Sequence, residues 1–319
     1  MKMIMNQLWQ SLILAGLLPS VLISVISSAY TRSDSRPVLP EDPTEAYMIK
    51  VIGEDGETRD MALDSYITCV VLGEVSTDFH AEALKAQIVA ARTYTMYCIE
   101  VLNKHSVGAV CTDYHCCQAY CEPDEYLNDG GTLDGLNKVK DAVEATEGEV
   151  LHYGSDLICA TYFASSGGYT EDALEVWGEN YPYLQTVASP GEEDCGYFSQ
   201  QSIMTPSEFQ EALGVTLTGN PFGWFGMVKY TVGGGVDLMR IGGRLYTGVE
   251  LRRLLKLRST VMTFTVDDDS IVIDTKGYGH RVGLSQHGAN AMAKNGSDYR
   301  SILKHYYADT TIYRLEGEK

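Results

Sequence analysis

Between residues 80 and 102, Leu84, Ile88, Ala91, Thr95, Cys98 and Leu102 recur at helical spacing. The spacing predicts a long amphipathic helix. Asp78 is placed to cap it, and Ala81, Ala83, Ala86, Ala90 and Ala91 let neighbours pack close. Upstream, 47–52 and 60–63 flank Gly53-Glu54-Asp55-Gly56 and read as a hairpin. Asp64 then stands as an N-cap for a short helix over 65–75, although its β-branched residues also suit a strand. Another helix is expected over 138–146, ended by Gly148. Beyond it the period changes. Strands at 150–153 and 157–163 flank Gly154-Ser155-Asp156, and Thr205 caps a helix reaching 213. Segments 224–232, 236–241, 261–267 and 271–275 alternate like strands around a helix at 248–257. Helices over 287–294 and 301–307 complete the pattern. The order predicts an α+β fold: one compact unit with a β-rich C-terminal lobe, the boundary near 200–220.

The N-terminus follows a different pattern. Residues 8–29 hold no charged side chain, roughly the length that crosses a bilayer core. Lys2 precedes the run, and Pro19 is placed to kink it. It reads as a membrane anchor over 1–30; a signal peptide cleaved after Ser27-Ser28-Ala29 is the alternative. A polar linker with Pro37, Pro40 and Pro43 spans 31–46, leaving 47–319 as one exported domain.

A formal net charge of −19 argues against nucleic acid, which demands clustered Lys and Arg. Export gives the eight cysteines meaning. Cys69, Cys98 and Cys159 lie in apolar runs and read as small core residues, and Cys195 sits in an acidic turn. Cys111, Cys116, Cys117 and Cys121 crowd one loop behind His105. His105, Cys111, Cys116 and Cys117 form a candidate tetrahedral zinc set, with His115 or Cys121 as substitutes; disulfides or free thiols are the alternatives.

Candidate chemistry collects in three segments, 72–93, 162–177 and 276–289, where glycines mix with polar side chains at element ends. Ser165-Ser166-Gly167-Gly168 lacks a Gly-x-Ser-x-Gly elbow, so Ser166 is a poor nucleophile. No Gly-Lys-Ser/Thr follows Gly279 and Gly283, which excludes a phosphate loop of that kind.

Taken together the blocks resemble the stage II sporulation protein D family over 47–313. Glu82 to Gln87 (EALKAQ) and Ala90 to Thr93 (AART) match its first block. Ser165-Ser166-Gly167-Gly168, Thr170-Glu171 and Trp177 match the second. Gly277, Gly279, His280, Gly283, Ser285, Gln286, Gly288 and Ala289 match the third, with Ile302, Leu303, His305, Tyr306 and Tyr307 closing the chain. Gln118-x-Tyr120 follows the family too, which places the cysteine loop beside the site.

The resemblance implies a lytic transglycosylase that cleaves peptidoglycan glycan strands stripped of stem peptides, during engulfment in spore formation. It implies a mother-cell membrane location beside stage II sporulation proteins P (an amidase) and M (a scaffold). The catalytic glutamate falls on Glu74, which acts as both acid and base, so a second carboxylate is not required. Arg92, Tyr162, Ser166, Gly167, Gly168, Thr170, His280, Ser285 and Gln286 are then expected to hold the sugar. The chain departs from the family at Val75-Ser76, where Met-Pro is common, at Arg281 for glycine, and at His287 for tyrosine. Two other functions compete: a wall-binding module without catalysis, and a thiol peptidase using Cys159 or a loop cysteine with His152.

Overall fold

The computed structural model describes residues 46–267 and 270–315. The apolar run at 8–29 lies outside the described residues. Among those described, no helix is long and apolar enough to cross a membrane.

The expected hairpin forms from β1 (Met48–Ile52) and β2 (Thr58–Ala62), paired antiparallel from Met48↔Ala62 to Ile52↔Thr58. The next segment is a helix, α1 (Leu63–Glu74), despite its β-branched residues. Tertiary burial overrides propensity here: Tyr66, Ile67, Val70 and Val71 are completely enclosed. Asp64 does not cap it. The N-cap position is Ala62, and the Asp64 carboxylate turns from the first turn toward Arg92. The long helix α2 (Ala81–Glu100) is the spine of the first core, with Ala86, Ala90 and Ala91 fully buried. Its cap is His80, whose Nδ1 accepts the Glu82 N–H, rather than Asp78.

β3 (Ala109–Cys111) lies parallel to β1 and leads into the cysteine loop. Then come α3 (Pro123–Asn128), α4 (Leu133–Glu144), β4 (Glu149–Tyr153) and β5 (Asp156–Leu157). β4 and β5 make the expected hairpin, but β6 (Tyr162–Phe163) leaves it for a different sheet. The short α5 (Ala173–Trp177) follows.

A second core of Phe209, Trp224, Tyr246, Leu251, Ile271 and Ile273 then assembles. Its elements are β7 (Ser199–Met204), α6 (Pro206–Leu213), β8 (Phe225–Tyr230), β9 (Val236–Ile241), β10 (Arg244–Thr247), α7 (Gly248–Leu254), β11 (Val261–Asp267) and β12 (Ser270–Lys276). They form two antiparallel sheets, ordered β10-β9-β8 and β11-β12-β7. Thr205 and Thr247 close α6 and α7 with capping boxes.

This β-rich lobe is an insertion, not the C-terminal end that the strand pattern led us to expect. β13 (Leu284–Ser285), α8 (Gln286–Lys294), α9 (Tyr299–Tyr306) and β14 (Thr311–Arg314) return to the first core. β13 pairs parallel with β6, and β14 pairs antiparallel with β4. The physical reason is the apolar stripe of α9 and the residue that caps it: Ile302, Leu303, Tyr306 and then Tyr307 are almost wholly buried in the core that α2 organises. The mixed α+β architecture itself is as expected.

Candidate active site

Glu74 is the last residue of α1, at the negative end of that helix. Its half-buried carboxyl faces a cleft of about 630 Å³ walled by Phe79, Phe163, Tyr197, Tyr278 and His287. Oε1 accepts the backbone N–H of Ala119 at 2.9 Å and the Tyr162 hydroxyl at 3.4 Å. Among the described residues Oε2 has only the Gln286 amide at 3.4 Å, so Oε2 is the oxygen left to carry a proton. Burial raises the pKa of Glu74, and the three hydrogen bonds from Ala119, Gln286 and Tyr162 partly offset it. Among the described residues lining the cleft, Glu74 is the only carboxylate.

The cysteine loop holds this acid in place. Gly73 lets the loop backbone touch α1, since a Cβ there would lie 2.8 Å from the Tyr120 nitrogen. The Cys121 N–H docks on the Cys69 carbonyl, also of α1. Gln118 is buried and donates to the Tyr162 hydroxyl at 2.8 Å, while its own carbonyl accepts from Thr95. The Tyr162 phenol, accepting from Gln118, thus has its proton directed at Glu74. Burial and the nearby Glu74 charge lift the Tyr162 pKa well above normal, so it stays a donor.

The two glycine-rich blocks meet back to back. Ser165 bridges Tyr278, and a Cβ on Gly167 would lie 2.7 Å from the Lys276 carbonyl carbon. Their polar side chains converge on Glu192, which is 1% exposed. It accepts from the hydroxyls of Ser165 (2.6 Å), Ser166 (2.7 Å), Ser189 (2.6 Å) and Ser285 (2.9 Å), and from the Ser166 N–H (2.8 Å). Sequence reasoning missed Glu192. Its only signal was an acid in the Gly191-Glu192-Glu193-Asp194 turn, which reads as a solvated loop.

Arg281 explains its own departure from the family pattern. It sits at φ +66°, a conformation that favours glycine. The side chain offsets that strain by pairing with buried Glu171 at 2.8 Å and donating to the carbonyls of Ser166, Tyr169 and Gly233. His287, read above as a departure from tyrosine, still presents a ring: it packs against Phe79 (5.1 Å) and Tyr197 (5.5 Å).

The structure brings Tyr162, His280 and Gln286 to the cleft with Glu74. His280 is half-buried between the rings of Phe163 and Trp177, with Nδ1 accepting the Val282 N–H. Burial and nearby Arg252 pull its pKa down to about 4, so it is neutral at physiological pH. The other residues expected at the sugar are placed elsewhere. Arg92 is 0% exposed and spends its guanidinium on Asp64 and the carbonyls of Thr146 and Glu149. Ser166 and Ser285 serve Glu192, and the Thr170 hydroxyl donates to the Gln185 carbonyl. Gly167 and Gly168 shape the contact between blocks, and the Gly168 N–H is taken by Ser166 Oγ. The sequence shows which residue types cluster, but not which way they face.

Of the cysteine-loop residues, His105, Cys111, Cys116 and Cys117 place one donor atom each within 4.8 Å of one another. His105 Nε2 lies 3.4 Å from both the Cys116 and Cys117 sulfurs. Neither substitute joins them: His115 turns to Asp113, and Cys121 to the Glu122 carbonyl. All eight cysteines are free thiols. Cys159 makes a poor nucleophile, because burial pushes its thiol up to about 12. His152 is occupied with the Ser155 carbonyl and the Tyr313 ring.

These features define a class: a mixed α+β protein in which one half-buried acid, held by a thiol-rich loop, faces an aromatic-walled cleft. Known proteins identify it further. The model of a family described as stage II sporulation protein matches residues 43–153. The chain is 35% identical over 267 residues to stage II sporulation protein D of Bacillus subtilis (strain 168), covering 81% of this chain and 76% of that protein. It is 34% identical over 289 residues to stage II sporulation protein D of Bacillus amyloliquefaciens, covering 89% and 83%. The amidase enhancer of Bacillus subtilis (strain 168) is 30% identical over 296 residues, covering 76% of this chain and 39% of that protein. The chain belongs to the stage II sporulation protein D family, and is thus a sporulation protein.

Proposed function

We propose that the protein is a peptidoglycan lytic transglycosylase with Glu74 as its single acid and base. The observation that carries this reading is the lone carboxylate in the cleft, raised in pKa by burial. Ordinary glycosidases place two carboxylates across the scissile bond. With one, the chemistry closes if the sugar supplies its own nucleophile. Protonated Glu74 gives its proton to the glycosidic oxygen, and the bond from that oxygen to muramyl C1 breaks. The resulting carboxylate then takes the proton of the muramyl 6-hydroxyl, whose oxygen bonds to C1. The product carries a 1,6-anhydro ring, no water is consumed, and Glu74 ends protonated. Gln286 is placed to hydrogen-bond a sugar hydroxyl, while neutral His280, engaged with the backbones of Val282 and Tyr162, walls the cleft without competing for the proton.

The substrates on this reading are glycan strands freed of stem peptides, in septal wall remodelling during engulfment. The uncharged run at 8–29 supports a single-pass membrane anchor with the cleft outside the cytoplasm. Stage II sporulation proteins P and M are the proposed partners there. The test is to incubate the protein with peptide-stripped strands and weigh the products. Anhydro-muramyl ends are expected. Reducing ends would make the protein a hydrolase, and binding with no products would leave a wall-binding module of the same fold.

A structural zinc belongs to the same reading. The donor set of His105, Cys111, Cys116 and Cys117 has the composition and compactness of a tetrahedral site. The backbone N–H of Cys111 already donates to the Cys117 sulfur, as thiolate ligands require of their surroundings. Zinc bound there would supply cross-linking rather than catalysis, fixing the loop that presents Gln118 and Ala119. Purified protein is expected to carry about one zinc per chain, and Cys117→Ser to lose most of it along with thermal stability. Metal-free wild-type protein of full stability would end the zinc idea.

A further inference from the structure

One cation in the cleft lacks an anion. Arg252 lies on α7 of the inserted lobe and lines the cleft together with Glu74, Tyr278 and His280. Its side chain is half-buried, and among the described residues its guanidinium has no hydrogen-bond or ion-pair partner. The other enclosed arginines differ. Arg92 and Arg281 fill their donors with carboxylates and carbonyls. Arg258 donates to the Gly196 carbonyl and lies over the rings of Tyr197 and Tyr278. A partly desolvated guanidinium with empty donors costs free energy, which an incoming acceptor recovers.

We propose that Arg252 is the cleft's receptor for a substrate carboxylate, and so selects which muramyl residues reach Glu74. This deepens the glycan reading above and rests on it. The planar guanidinium matches a carboxylate with two parallel hydrogen bonds. Stripped of its stem peptide, a muramyl residue bears one such group, the lactyl carboxylate on its C3 oxygen. With a peptide attached, that same carbon is a neutral amide and offers no charge. The 6-hydroxyl that attacks and the lactyl group belong to the same ring, so anchoring one orients the other. Uncharged His280 beside Arg252 contributes no second cation, which leaves the charge selection to one residue.

The test separates recognition from cleavage. The full chain carrying Glu74→Gln is titrated with two soluble glycan oligosaccharides, one with free lactyl carboxylates and one with those groups converted to methylamides. The free form is expected to bind about tenfold tighter or more, the scale of a charge-assisted pair. Adding Arg252→Gln is expected to bring the ratio to about one, chiefly by weakening the free form. Arg252→Lys is expected to keep part of the ratio, because charge remains while the fork is lost. An unchanged ratio in Arg252→Gln, or an equal loss of both affinities, overturns the proposal. If neither oligosaccharide binds the chain with Arg252 intact, the glycan reading fails and the role of Arg252 falls with it.

Discussion

Glu74→Gln is expected to lower the release of anhydro-muramyl products by about three orders of magnitude, the usual scale for removing a general acid and base. The amide is the same size as the carboxyl, and its oxygen still accepts the Ala119 N–H, so folding is expected to be unchanged. Any residual cleavage within tenfold of wild type would move the acid elsewhere.

The pH profile carries the same logic. The free enzyme is productive with Glu74 protonated, so kcat/KM falls as pH rises through its raised pKa. The Tyr162 hydroxyl stabilises the carboxylate form and pulls that pKa back down. Tyr162→Phe is therefore expected to shift the alkaline limb upward, with a moderate loss of rate. A limb that stays in place would reduce Tyr162 to packing.

Removal of the Glu192 carboxylate is expected to have the largest effect on stability. Glu192→Ala would strand the hydroxyls of Ser165, Ser166, Ser189 and Ser285 and the Ser166 N–H inside the protein. Leaving buried polar groups unpaired costs about 3–5 kcal/mol in such a network. For a domain of this size that is a drop in Tm of about 10 °C. Glu192→Gln is expected to lose less, since the amide oxygen keeps part of the network and the serine hydroxyls can rotate to accept from the amide nitrogen. Thermal melts of both variants check this order. A Glu192→Ala protein as stable as wild type would mean the serines find other partners, and the two blocks would not depend on this acid. Activity is expected to fall with stability, because the same contact positions Tyr162 and Gln286 on either side of the β6–β13 pairing.

The local elements were legible because periodicity is written along the chain. The α2 stripe, the hairpin before it and the capped α6 all follow from spacing and cap residues within a few positions. Segment 65–75 reads as a helix with a strand as its alternative, and the structure bears out the helix. Its residues suit either state, and complete burial decided for helix. The resemblance carried by the matching blocks likewise points to Glu74, and the thiol spacing points to His105, Cys111, Cys116 and Cys117 with His115 or Cys121 as substitutes.

Only the tertiary structure decided what each polar residue faces. Ser166 and Ser285, which read as sugar contacts, turn inward to Glu192, across as many as 93 positions of sequence. Arg92 reads as a cleft cation and is a core residue, whereas Arg252, with no motif around it, lines the cleft. Arg281 reads as a departure from pattern and is the anchor of a buried ion pair. The β-rich lobe reads as terminal and is an insertion, closed by the burial of α9. The physical reason is common to all four. Secondary structure is set by neighbours in sequence, whereas burial and charge pairing are set by neighbours in space, which the sequence pattern does not name.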